Sequence, residues 1–173
     1  MKRVRTLLFS EEQIHLRVEE MAAEIARASR RPDIAAWILA GAFVFAADLL
    51  RALSRRGIDL LMEPLWLRSY GDSRQGSETV AVLVPPGEAV RGRHVLLLDG
   101  VLDRGGTLVK ALELLFAAGA ASVMSAVIVD KQRDDALLRA DFAAFTGVDR
   151  FIVGYGMDDA GEGRALPYIA IAE

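Results

Sequence analysis

The chain has 173 residues, 53% of them apolar, a formal charge of −3 and no cysteine. That length buries one good-sized core, the charge argues against a general nucleic-acid binder, and the missing thiols exclude disulfides, thiolate metal sites and cysteine nucleophiles. The longest uncharged apolar run, 34–47, falls well short of the roughly 20 residues that cross a bilayer. MKRVRTLLFSEEQ carries too short an apolar segment for a signal peptide, so the expectation is a cytoplasmic protein with no membrane partner.

Ser10-Glu11-Glu12-Gln13 has the form of a capping box. Ile14, Val18, Met21, Ala22 and Ile25 then recur at helical spacing and predict an amphipathic helix over 11–29, ended by Pro32 and Asp33. Residues 34–39 read as a buried strand, Ala40-Gly41 as a turn and 43–53 as a second helix. Residues 58–67 predict a strand in which Pro64 asks for an edge or a bulge. RSYGDSRQGSET, 68–79, loses apolar periodicity and predicts a polar functional loop. Strands are expected at 80–84, 95–98, 123–129, 151–153 and 169–171, and a helix at 107–118 closed by Gly119. Strand and helix alternate and the strands are almost continuously apolar, which implies an α/β fold: a mostly parallel central sheet flanked by helices. No repeat or linker divides the chain, so 1–173 is expected to form a single domain.

VLLLDGVLDRGGTL, 95–108, puts two acids and a glycine turn between a strand and a helix. In an open α/β sheet, ligands bind at that carboxyl edge. A glycine turn running into a helix N-terminus presents backbone N–H groups to a phosphate, and Thr107 adds a hydroxyl. Asp99 and Asp103 suit sugar hydroxyls or a divalent ion instead. Neither a P-loop nor a G-x-G-x-x-G fingerprint is present here. The plain alternative is a strand-to-helix turn in which glycine serves geometry and Asp103 caps the helix.

The same stretch resembles the phosphoribosyl-pyrophosphate (PRPP) motif of type I phosphoribosyltransferases. Four further segments are similar to the hypoxanthine-guanine phosphoribosyltransferase family. ILAGAFVFAADLLRAL (38–53) resembles its first loop and helix, and RSYG (68–71) the start of its flexible catalytic loop. VDKQRDD (129–135) resembles the purine-binding lysine segment, and FIVGYGMDD (151–159) with RALPYI (164–169) the C-terminal hood.

The resemblance implies the type I phosphoribosyltransferase fold, with a small hood formed by N- and C-terminal segments to which 150–173 contribute. It implies purine salvage: a 6-oxopurine and PRPP, with Mg2+, giving IMP and/or GMP and pyrophosphate, in a homodimer or homotetramer. The apolar helix at 42–53 suggests a dimer. By position, Asp103 is the general acid/base at purine N7. Asp99 holds ribose hydroxyls or magnesium-bound water, and Asp158 ligates magnesium. Arg104, Gly105, Gly106 and Thr107 cradle the 5′-phosphate, while Ala40, Gly41 and Arg164 meet pyrophosphate. Lys131, Phe151 and Ile152 bind the purine, and Ser69 and Tyr70 close over the site.

Four positions depart from the family pattern. Gly100 replaces the second acid of the pair, and Ala40 replaces the loop lysine beside a non-proline cis peptide. Arg104 stands where threonine or serine is usual, and Asp135 where an arginine is common. The Gly100 and Ala40 departures motivate an alternative, a non-catalytic PRPP- or nucleotide-binding regulator; a weaker alternative is an enzyme of altered substrate. His15 and His94 match no family site and read as surface residues. Arg51, Arg55 and Arg56 form too small a basic group for nucleic acid.

Overall fold

The computed structural model describes residues 5–70 and 79–172. The capping box forms: Gln13 N–H donates to Ser10 Oγ at 3.3 Å, and Ser10 N–H donates to Gln13 Oε1 at 2.9 Å. It starts α1 (Glu11–Arg27), whose buried stripe is the one read from the sequence: Ile14, Val18, Met21, Ala22 and Ile25. Then come β2 (Ile34–Leu39), α2 (Phe43–Ser54), β3 (Leu61–Tyr70), β4 (Thr79–Val84) and β5 (His94–Leu102). The chain continues through α3 (Gly106–Ala117), β6 (Ser122–Asp130), β7 (Phe142–Thr146), β8 (Ile152–Val153) and β9 (Ile169–Ala172), with β1 (Arg5–Phe9) preceding α1.

Among the described residues the strands form two sheets. The larger has the order β4-β3-β2-β5-β6-β7, parallel except for β4. From β2 the chain crosses through α2 to β3 on one side; from β5 it crosses through α3 to β6 on the other. The crevice between the carboxyl ends of β2 and β5 is therefore a topological switch point, the usual ligand edge of such sheets. The smaller sheet, β1-β9-β8, is antiparallel and joins the N- and C-terminal segments into a hood.

Two cores cover the large sheet. On one face α1 and α2 pack on Leu96, Leu98, Ala126 and Ile128; on the other, Leu108, Ala111 and Leu115 of α3 pack on Ala36, Val95, Leu97 and Val127. Side chains of β5 alternate between these faces up to Leu98. Beyond Gly100 the parity is reversed, with Val101 against the first core and Leu102 in the second.

Several sequence expectations change. β5 does not stop at Leu98 but carries Asp99 and Gly100 within it. β3 begins later than read and runs to Tyr70, so Arg68 and Ser69 pair with Ala81 and Val80, and the predicted loop shrinks to 71–78, which lies outside the described residues. Main-chain pairing needs no apolar periodicity, and an antiparallel ribbon can face water on both sides. Pro64 lies opposite Trp37 of β2, while β4 reaches only to Trp66 and is bulged there. An interior strand thus becomes a local edge at its proline. α1 ends at Arg27 rather than 29, and β1 and β7 went unread.

The apolar face of α2 is taken up inside the chain, with Phe45, Leu49 and Leu53 fully buried, so it does not argue for a dimer. Arg51 pairs with Asp48, and Arg55 and Arg56 both pair with Glu19, which removes any basic patch there. His94 is not a free surface residue: it is half-buried in β5, its ring Nδ1 2.9 Å from Ser122 Oγ. His15 is exposed, as read. Among the described residues no helix is long and apolar enough to cross a membrane.

Candidate active site

A cavity of about 520 Å3 opens at the switch point, walled by the ends of β2, β3, β5 and β6 and by the hood. Ala40, Gly41, Ser69, Asp99, Asp103, Thr107, Lys131, Phe151, Ile152, Asp158 and Arg164 all line it, from segments up to 124 residues apart in the chain (Ala40 to Arg164). Gly105, Gly106 and Arg104 line an adjoining cavity of about 130 Å3 with Asp99, Asp103 and Thr107. Tyr70 ends β3, and its side chain lies outside the described residues.

The small cavity is the expected cradle. Gly105 adopts φ +92° as N-cap of α3, a left-handed conformation suited to glycine, so the loop turns and aims the first amides of the helix at one point. A Cβ there would also lie 2.9 Å from Leu138 Cδ2. Thr107 Oγ1 is 2.7 Å from Ser69 Oγ, tying the cradle to β3.

Lys131 follows β6, its N–H donating to the carbonyl of Leu102 at 3.0 Å, and its side chain is only 10% exposed. Its ammonium donates to Asp103 Oδ2 at 2.7 Å, and Arg133 Nε stands 3.4 Å from Asp103 Oδ1. A lysine that sequence alone leaves as an idle strand-end residue is therefore locked to the proposed acid/base. Phe151 is 56% exposed and immediately precedes β8, whose Ile152 is buried beneath it in the chain. An exposed aromatic ring on a cavity wall can stack a planar heterocycle.

Asp99 is half-buried, and Gly100 N–H donates to its Oδ1 at 2.7 Å. Burial pushes the Asp99 carboxyl up to about 7, against the opposing pull of that amide. Asp158 is held at both oxygens: Arg164 Nη2 lies 2.6 Å from Oδ1, and Gly161 N–H donates to Oδ2 at 2.7 Å. Arg164 also donates through Nη1 to the carbonyl of Gly156 at 2.7 Å.

The Leu39–Ala40 peptide is cis, and the loop after it brings the Gly41 carbonyl against two glycines. A Cβ on Gly100 would sit 3.1 Å from Gly41 O, and a Cβ on Gly156 would collide with it outright. A Cβ at position 100 would thus press on the backbone of the 40–42 loop. Reading by composition could not find this, since it depends on three segments meeting.

The sequence also missed Trp66, Arg68, Val101 and Met157 as wall residues. Trp66 lies inside the expected strand 58–67, and Arg68 just beyond its expected end. Tyr155 is a further omission: its hydroxyl donates to Asp48 Oδ2 at 2.7 Å, fastening the hood to α2. Among the described residues no three His, Asp or Glu side chains gather as a metal cage. Mg2+ needs none, since it binds through one or two carboxylates plus waters and substrate phosphates. Asp99 and Asp158, which both line this cavity, fit that mode.

Residues 7–160 match the family described as "Phosphoribosyl transferase domain". The chain is 35% identical to a hypoxanthine-guanine phosphoribosyltransferase from Aquifex aeolicus, over 96% of its own length and 94% of that protein. It is 34% identical to one from Bacillus subtilis, over 97% and 93%. A solved hypoxanthine-guanine phosphoribosyltransferase from Bacillus anthracis superposes with a TM-score of 0.88 at 31% identity, covering 98% of this chain and 99% of that one.

Proposed function

The chain belongs to the hypoxanthine-guanine phosphoribosyltransferase family, and on that premise we propose that it makes a purine nucleotide, IMP and/or GMP, and pyrophosphate from a 6-oxopurine and PRPP. The observation that carries this reading is the Asp103–Lys131 contact at 2.7 Å on the wall that Phe151 shares, with the phosphate cradle beginning at the next residue, Arg104.

In the reaction the bond from ribose C1′ to the pyrophosphate oxygen breaks as a purine nitrogen bonds to C1′. Charge passes through an oxocarbenium-like centre, and the purine's displaced proton must be taken up. Asp103, at the carboxyl end of β5, takes and returns that proton at purine N7. Lys131 donates to the exocyclic oxygen of a 6-oxopurine, which adenine lacks, and Phe151 with Ile152 clamps the ring. Asp99 accepts from ribose hydroxyls. The amides of Gly105 to Thr107 hold the 5′-phosphate, and Ala40, Gly41 and Arg164 receive the pyrophosphate. These contacts turn an encounter of two substrates into a step within one complex. Ser69 and Tyr70 close the mouth against water. Asp158 and Asp99 would hold Mg2+, which would supply charge neutralisation on the pyrophosphate. The protein works in the cytoplasm as a homodimer or homotetramer in this reading, and sedimentation of the full chain checks the assembly.

Incubation with PRPP, Mg2+ and hypoxanthine, guanine or xanthine in turn, followed by chromatography for nucleotide, tests the transferase. Absence of product with all three at millimolar PRPP overturns it. Tight nucleotide binding without turnover instead favours the non-catalytic regulator, a reading supported by the absence of a carboxylate at Gly100 and of a lysine at Ala40.

A further inference from the structure

We infer that Asp135 is a positioning residue that holds the Arg104 guanidinium at the phosphate cradle, so that Arg104 binds the 5′-phosphate through its side chain as well as its backbone; this rests on the transferase reading above. The two positions are both departures from the family pattern, and the structure brings them together: Arg104 Nε lies 3.0 Å from Asp135 Oδ2.

The cradle has a use for that cation. Arg104 is the sole lysine or arginine between Arg93 and Lys110, and it lines the small cavity with the glycines. A sugar phosphate carries close to two negative charges at neutral pH. Backbone amides and one helix terminus supply only partial positive charge against it. A guanidinium is the side chain best shaped for the rest, with five donors in a planar fork that meets phosphate oxygens in pairs. Asp135 engages the Nε edge of that fork and so restricts how the guanidinium turns.

The segment carrying Asp135 is built onto the cradle. Leu137 N–H donates to the carbonyl of Arg104 at 2.9 Å, and Leu138 packs against Gly105. Arg133 Nε donates to Asp135 Oδ1 at 2.9 Å and lies 3.4 Å from Asp103. Charges therefore alternate from the base site to the phosphate site: Lys131, Asp103, Arg133, Asp135, Arg104. Hydrogen bonding from Arg133, with Arg104 nearby, holds the Asp135 carboxyl below the usual carboxylate range, so it stays ionised at neutral pH. An exposed ion pair of this kind adds little to stability, which leaves orientation as its main effect.

Titration calorimetry of the full chain with ribose 5-phosphate tests this without requiring turnover. Arg104→Gln is expected to weaken binding roughly tenfold or more, the usual loss for a charge-assisted hydrogen bond. Asp135→Asn is expected to weaken it in the same direction, and Asp135→Glu to restore it. With PRPP as substrate, Asp135→Asn raises KM more than it lowers kcat. The exchanged double variant Arg104→Asp/Asp135→Arg retains an ion pair; it is expected to melt at the parent's temperature and still bind ribose 5-phosphate poorly. Parent-like affinity in Arg104→Gln, in Asp135→Asn or in the exchanged pair overturns the inference. Absence of purine turnover in the parent refutes the transferase reading alone, because the ribose 5-phosphate affinities still separate the variants.

Discussion

Replacing Gly100 tests how tightly the cleft is assembled. A Cβ there meets Gly41 O at 3.1 Å and Gly41 C at 3.3 Å, with Met157 Cγ at 3.5 Å. Ordinary contacts begin near 3.4 Å, so the 40–42 loop must retreat by a few tenths of an ångström. Overpacking of that size costs about 1–2 kcal/mol, or a fall of roughly 2–8 °C in Tm for a chain of this length. Gly156→Ala is the steep reference: it strikes the same carbonyl at φ +100° and is expected to lose far more. Gly100→Asp carries the same Cβ and adds a carboxylate beside Asp99, whose own charge burial already disfavours. Its Tm should lie below that of Gly100→Ala in chelator, and the order should reverse when Mg2+ and PRPP are present. Circular-dichroism melts of the parent and the three variants give the comparison. A Gly100→Ala protein that melts within about a degree of the parent would refute the packing argument.

Asp99→Asn should make stability less dependent on pH. The folded carboxyl titrates near 7 and an unfolded one near 3.9, so the folded chain keeps the extra proton between those values. Parental stability therefore falls as pH rises from about 4 to about 7 and stays low above, by at most about 4 kcal/mol. The melting advantage of Asp99→Asn, measured in chelator, should grow across that window; a constant difference sinks the assignment. Tyr155→Phe removes the buried hydroxyl bond to Asp48 and should cost about 1–3 kcal/mol, with Asp48→Asn adding less on top than alone. Additive losses in that double-mutant cycle would show that the two groups do not couple. Lys131→Gln should raise KM for the purine base roughly ten- to a hundredfold while changing ribose 5-phosphate affinity little; equal effects on both would place Lys131 outside base recognition.

Much of this architecture is legible locally. The runs IAAWIL and HVLLL are buried on both faces and announce central parallel strands, and Ser10 with Gln13 announces the start of α1. The cradle, too, is local, because strand, glycine turn and helix are contiguous. What escaped reading is set by distant partners. β5 appeared to stop at Leu98 because Asp99 and Gly100 end the apolar run, yet ladder bonds to β6 continue to Leu102. β1 is a strand only because β9 lies beside it. FAAFT has small residues at its centre and pairs with β6 on backbone geometry more than on propensity. Arg104 with Asp135, and Tyr155 with Asp48, are partners across loops and layers that no spacing rule connects.

The hood has a consequence for how the protein is made. Of the described strands, β1 is made first and β9 last, and each needs the other. The core on the α3 face can close while β9 is still unsynthesised, because its buried residues end at Val127, whereas the core under α1 and α2 also needs Ile152, Tyr155, Met157 and Ile169. Leu7 to Phe9 must wait through that interval without their partner strand. The cleft therefore acquires its upper wall, with Asp158 and Arg164, only after every strand of the large sheet has been made. A nascent chain can hold a complete phosphate cradle and still have no finished site in which to use it.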